Sequence, residues 1–161
     1  MGAMVRVSGQ GQAFVHKLER LRMNSTDMRP ALRLIGQVFA DAQRHQFETE
    51  GRHYGPGWVR LTPKYAARKA KLLPGLRILQ GATGALEDAA APGIAEEFPI
   101  YLLGGRRIEV GLSDADVPYA KYHQNGTSKM AARPVMGNPT REDRKKITKV
   151  LHTHLMKGVG V

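Results

Sequence analysis

The clearest periodicity in the chain lies between Asp27 and Gly51, where Leu32, Ile35, Val38, Phe39 and Ala42 recur at helical intervals. That spacing places them on one stripe of an α-helix, which Gln46 and Phe47 extend. Asp27 is a suitable N-cap, Pro30 is tolerated only in a first turn, and Gly51 stands where a left-handed residue stops a helix. The longest helix of the chain is predicted here. Upstream, Phe14, Leu18 and Leu21 repeat at helical spacing with Lys17, Glu19, Arg20 and Arg22 on other faces. The polar run at 23–26 is expected to end that helix. Val5 and Val7 alternate with Arg6 and Ser8, the pattern of a short edge strand.

Beyond Gly51 the pattern breaks. Gly55, Pro56 and Gly57 predict a loop over 51–61, and Trp58, the only Trp, anchors it by burying its ring. Thr62 can cap a helix with Pro63 at its first position, giving a short basic helix over 65–73 that Pro74-Gly75 ends. Ile78-Leu79 is a short apolar patch, and Thr83 can cap a further turn through Gly84, Ala85 and Leu86. Residues 98–103 and 106–112 flank Gly104-Gly105, a pair suited to a two-residue hairpin turn. A short helix is expected at 119–124, before a loop that includes Asn125-Gly126. Thr140 and Asp143 form a capping box, after which Ile147, Val150, Leu151 and Leu155 line one face of a C-terminal helix ended by Gly158. The order of elements predicts an α+β fold: a small antiparallel sheet with a long central helix and a C-terminal helix. One domain over 1–161 is expected, with flexible loops near 51–61 and 125–132.

Composition narrows the chemistry. With 161 residues the chain has the size of one compact domain. It holds no cysteine, which excludes disulfides, iron–sulfur clusters and Cys-based zinc sites. No apolar run approaches the roughly 20 residues that span a bilayer, and the first residues lack a signal-peptide core. A soluble protein made in the cytoplasm is expected. The net charge of +11 is unevenly spread: residues 81–116 carry 2 Lys/Arg against 7 Asp/Glu, while both flanks are strongly basic. A nucleic-acid binder gains nothing obvious from an acidic middle, whereas a subunit packing head-to-tail on its own copies can use both signs.

Candidate catalytic groups are few. His152 and His154 would lie roughly 200° apart around a helix, and no His-Glu-x-x-His or comparable spacing occurs, so no metal is expected. Gly81-Ala82-Thr83-Gly84 lacks the Lys-Ser/Thr of a phosphate loop. Asp114 with Asp116, and Glu96 with Glu97, read as solvated carboxylates more readily than as acid–base pairs. A small hydrolase built on His123 or His53 is one alternative. A basic nucleic-acid-binding module is the other, using Lys64, Arg68, Lys69 and Lys71 on one helix and Arg141, Arg144, Lys145, Lys146 and Lys149 on another. Only Tyr65 interleaves those cations as a stacking platform.

Three ordered blocks carry more information than any of these. F-E-T-E-G at 47–51 is followed by W-V-R-L-T-P-K-Y-A-A-R-K at 58–69; I-L-Q-G-A-T-G-A-L occupies 78–86; Y-A-K-Y-H-Q-N-G at 119–126 precedes A-R-P-V-M-G at 132–137. In this order they resemble the signature of phage virion-morphogenesis and tail-completion proteins. Lys64-Tyr65, the longer approach Gln80-Gly81-Ala82 and Asn125 depart from that pattern. The resemblance implies no enzyme and no cofactor. It implies a structural subunit that closes into a ring, sixfold, at the head-to-tail junction of a virion. Its implied partners are itself, the tail tube protein and the head connector or neck proteins, with non-specific DNA contact in the lumen. Trp58, Leu61, Tyr65 and Leu86 would form the structural signature, together with Arg68, Thr83 and Gly84. Tyr119, His123, Gln124, Arg133 and Pro134 would position loops or contact neighbouring subunits.

Overall fold

A computed structural model of the chain describes residues 9–159. The strand expected around Val5 and Val7 lies outside the described residues. The elements run α1 (Gly9–Thr26), α2 (Arg29–Glu48), α3 (Pro63–Leu72), α4 (Ala85–Ala90), a 3-10 turn (Ala95–Glu97), β1 (Ile100–Leu103), β2 (Ile108–Gly111), α5 (Ala120–Asn125) and α6 (Arg141–Leu155). The fold is α+β, as its sequence pattern predicts, with α2 at the centre. Helices α4 and α6, the 3-10 turn and both strands all pack against α2.

Three local expectations need correction. Helix α1 does not break at the polar run but continues to Thr26. The hydroxyls of Ser25 and Thr26 donate back to the Arg22 carbonyl, which absorbs their hydrogen-bonding demand within the helix. Helix α2 begins at Arg29 rather than beside Asp27, with Met28 at the cap position. Asp27 still serves the start of the helix, since its Oδ1 accepts from the Arg29 backbone N–H at 3.1 Å. The hairpin tip, finally, is Gly105-Arg106. Gly104 closes the turn just beyond the ladder, with its N–H donating to the Arg107 carbonyl at 2.8 Å. The register pairs Leu103 with Ile108 and Tyr101 with Val110, keeping these apolar residues on one face.

That face lies on α2 at Gly36, where an added Cβ would come within 2.8 Å of Ile108 Cδ1. The stripe on α2 buries Leu32, Ile35, Ala42, Gln46 and Phe47, whereas Val38 and Phe39 of the predicted stripe are only half-buried. A core cluster then forms beyond the end of α2 from Phe47, Trp58, Leu79, Leu86, Ala90, Val117, Ala120 and Val135. These residues come from the three sequence blocks and the segments between them. Both predicted caps are present: Thr62 accepts from Tyr65 N–H at the start of α3, and Thr140 with Asp143 closes a capping box on α6.

Candidate functional site

The site is built outward from the last turn of α2. Thr49 N–H donates to His45 O and Gly51 N–H to Gln46 O, while Glu50 and Gly51 take positive φ values of 51° and 91°. Gly51 is required twice over. Its φ disfavours a side chain, and a Cβ there would sit 2.5 Å from the Trp58 ring. The chain thus turns back, and Trp58 packs edge-on against Phe47 with ring centroids 5.3 Å apart. The Trp58 backbone N–H donates to Glu50 O at 2.7 Å. Its indole N–H donates to Pro134 O at 2.8 Å, a carbonyl that also accepts from Gln46 Nε2 at 3.0 Å.

The third block is clasped from both sides. Arg133 is buried, and its Nε donates to Val59 O at 2.8 Å while Nη2 donates to Arg60 O at 3.3 Å. The Arg133 backbone N–H donates to His123 O at 2.7 Å. Gln124 Oε1 accepts from Val135 and Met136 N–H at 2.9 and 3.0 Å, and its Nε2 donates to Met136 O at 2.8 Å. One amide side chain thereby does the work of a strand partner for an extended segment. Pro134 keeps Arg133 out of helical geometry, as the Arg-Pro order predicts.

The second block is tied to the first by Glu50 and Lys69. Glu50 Oε1 accepts from Ile78 N–H at 3.0 Å. Lys69 Nζ donates to the carbonyls of Arg77 and Ile78. Lys69 is buried, and that burial holds its ammonium below the ordinary lysine pKa despite the opposing field of Glu50. This corrects its expected place among the phosphate-neutralising cations: a lysine committed to two carbonyls presents no charge to a duplex. Arg77 and Glu87 pair at 2.6 Å beside it.

These ties frame a groove of about 760 Å³ between α3, α4, α5 and the loop at 127–131. Seven of the expected residues line it: Leu61, Tyr65, Thr83, Leu86, Tyr119, His123 and Arg133. Trp58, Gln124 and Pro134 instead form the clasp behind it. Gly84, with φ of 69°, caps α4 from outside the lining, and Arg68 is exposed on α3. The groove is mainly apolar, with Ile78, Leu79, Leu73 and Val59 completing its wall. Its charged lining residues are Arg60, Lys69, Lys129 and Arg133, without a carboxylate among them. Sequence reasoning missed the roles of Glu50, Gln46 and Arg60. Glu50 was visible as the Glu beside Gly51 in the first block and Gln46 as an extension of the α2 stripe, though not as a donor to Pro134 O. Arg60 carried no signal separable from an ordinary polar surface.

The two histidines considered for hydrolysis have different surroundings. His123 Nδ1 is buried without a hydrogen-bond partner among the described residues, so no carboxylate orients the ring. Burial, helped by the nearby Arg133 charge, lowers its pKa, leaving a neutral ring edge-on to Tyr119. His53 does meet a carboxylate, with Nε2 at 2.9 Å from Asp143 Oδ2. That oxygen also accepts from Thr140 N–H at 2.9 Å and Thr140 Oγ1 at 2.7 Å. The pair therefore fastens the loop at 52–54 to the capped start of α6. No cluster of three or more metal-ligating His, Asp or Glu occurs among the described residues. Among them, too, no helix is long and apolar enough to cross a membrane.

The model of the phage virion morphogenesis family matches residues 10–156. The chain belongs to that family. No curated protein and no solved structure matches the chain. Membership makes this a phage protein of virion morphogenesis, with a structural role. In this member of the family, the three sequence blocks converge on one clasp and one groove. Trp58, Gln124 and Arg133 act through hydrogen bonds within the chain, whereas Leu61, Tyr65 and Tyr119 present side chains at the groove.

Proposed function

We propose that this protein is a non-enzymatic ring subunit of the head-to-tail junction, completing or terminating the tail and joining it to the head connector. The observation that carries this reading is the groove. Residues of all three blocks frame it, its wall is apolar, and its charged lining is cationic throughout. A rigid apolar trough of one charge sign suits an acid-flanked, apolar element of a partner subunit. Tyr65, Tyr119 and Val59 expose large apolar surface beside it, 54%, 42% and 54% respectively. The mechanism is geometric. The clasp fixes the groove's walls in advance, so that a partner loses little by docking there.

Leu61→Asp and Tyr65→Asp test this reading by co-purification with the tail tube protein and the head connector. Both variants should keep the helical circular dichroism of the parent and lose a partner. Retention of both partners at parental levels would overturn the groove's role in the junction. A second reading draws on α6, where Arg141, Arg144, Lys146 and Lys149 are exposed. These cations are suited to non-specific contact with DNA passing through the ring's lumen. Affinity for random-sequence DNA should then fall steeply with salt.

A further inference from the structure

We propose that α1 is an arm that docks on the outward face of the β-hairpin of a second copy of this chain. The inference rests on reading the protein as a self-assembling subunit, and it assigns the surfaces through which that assembly occurs. Among the described residues, the side-chain hydrogen bonds that fasten helix α1 to the rest of the chain lie near its C-terminal end. Asn24 Nδ2 donates to the carbonyls of Leu155 and Lys157 at 2.8 and 2.9 Å, and His154 Nε2 lies 2.9 Å from Asn24 O. Toward the other end Phe14, Val15 and Leu18 are 61%, 44% and 48% exposed. Phe14, Leu18 and Arg22 fall in line one turn apart, with Lys17 on one margin of the stripe and Glu19, one turn from Val15, on the other. A lone helix of this length is marginal in water, and one whose large apolar side chains are exposed gains from a surface that covers them.

The hairpin supplies a face of matching character. Ile100 and Leu102 alternate to the side of β1 away from α2 and are 37% and 59% exposed, and Ile94, just upstream, is 50% exposed. Glu96 and Glu97 are exposed beside them, and Glu109 lies across the ladder from Leu102. Arg106 and Arg107 sit at the tip, where Arg107 pairs with Glu109, while Arg33 and Arg44 of α2 approach the other end at Tyr101 and Gly93. At that end Glu97 Oε2 accepts from Gly93 and Ile94 N–H, and Glu96 Oε1 accepts from the Tyr101 hydroxyl. Each exposed carboxylate thus keeps one oxygen for Lys17 and Arg22 of the arriving helix. The apolar groove is the wrong seat for α1, because Arg60, Lys129 and Arg133 line it and no carboxylate does. Arm and hairpin are different patches of one subunit, so the contact is heterologous and propagates from copy to copy until it closes.

Because the chain has no cysteine, a cross-link reads this contact without background. Full-length Leu18→Cys and Leu102→Cys proteins carrying different tags are mixed under oxidising conditions, at a concentration where the parent self-associates, with tail tube protein present if needed. The expected result is a disulfide-linked pair bearing both tags, absent when Leu18→Cys is mixed with Lys129→Cys at the groove rim. In parallel, Lys17→Glu with Arg22→Glu should weaken self-association at least tenfold by light scattering. Adding Glu96→Lys and Glu97→Lys to that chain should restore it, with helicity unchanged throughout. Linkage at the groove rim, association unaffected by charge reversal, or weakening without rescue would each overturn the arm-to-hairpin contact while leaving ring assembly standing. A parent protein that stays monomeric alone and with the tail tube would overturn both.

Discussion

Pro134 O accepts two donors, Trp58 Nε1 and Gln46 Nε2, and this shared acceptor sets the expected effects of substitution. Trp58→Phe should cost only about 1 kcal/mol, since Gln46 still satisfies the carbonyl and most of the ring remains. Trp58→Ala removes the ring from the core cluster and should cost about 3–5 kcal/mol. Urea titration of the two variants separates ring from hydrogen bond. Arg133→Met is expected to cost about 1–3 kcal/mol, because it leaves the Val59 and Arg60 carbonyls without their donor in a buried site. Asp143 adds a pH dependence. Burial alone would raise its carboxyl pKa, but hydrogen bonds from Thr140 and the pairing with His53 outweigh that and hold it below the ordinary value of 3.8. Its stabilising contribution is therefore complete above the unfolded-state pKa and is lost as pH falls through the lower folded-state value. Thermal unfolding between neutral and acid pH should show a steeper acid limb for the parent than for Asp143→Asn, and identical limbs would remove Asp143 from this role.

Elements were legible where a side chain satisfies its neighbours in sequence. The caps at Thr62 and Thr140, the stripe on α2 and the pairing of the hairpin arms all follow from local chemistry. The failures have a common cause. Ser25 and Thr26 read as helix breakers, yet their hydroxyls found partners within α1; Gly104 read as the first residue of the hairpin tip, yet the buried face of the ladder set the register. Lys69 shows the limit most plainly, since nothing in a basic helix distinguishes the one cation that turns inward to two carbonyls. The loop at 51–61 makes an element-scale prediction. Gly51→Ala would force a side chain into left-handed backbone and against the Trp58 ring, and should destabilise by more than about 1 kcal/mol. Thr62→Ala removes one cap and should cost about 1 kcal/mol. Differential scanning calorimetry ranks the two, and a larger loss for Thr62→Ala would contradict the placement of Trp58 against Gly51.

At the scale of the molecule, the three blocks are separated in sequence and joined in space by Glu50, Lys69 and Arg133, with Gln124 tying the two parts of the third together. Their order was legible; that they enclose a groove was not, because the lining residues Ile78, Lys129 and Met130 belong to segments without periodicity. The acidic segment at 81–116 contributes Glu96, Glu97 and Glu109 around the hairpin, opposite in sign to α1, α3 and α6. Two signs on separate patches suit the head-to-tail ring proposed above. The most direct test is the mass of the purified protein by light scattering across concentration, alone and with its tail tube protein. A species with the mass of a closed ring, alone or only with the tube, is the predicted result. A monomer at every concentration that ignores the tube and binds DNA at low salt would contradict ring assembly and favour a nucleic-acid-binding module.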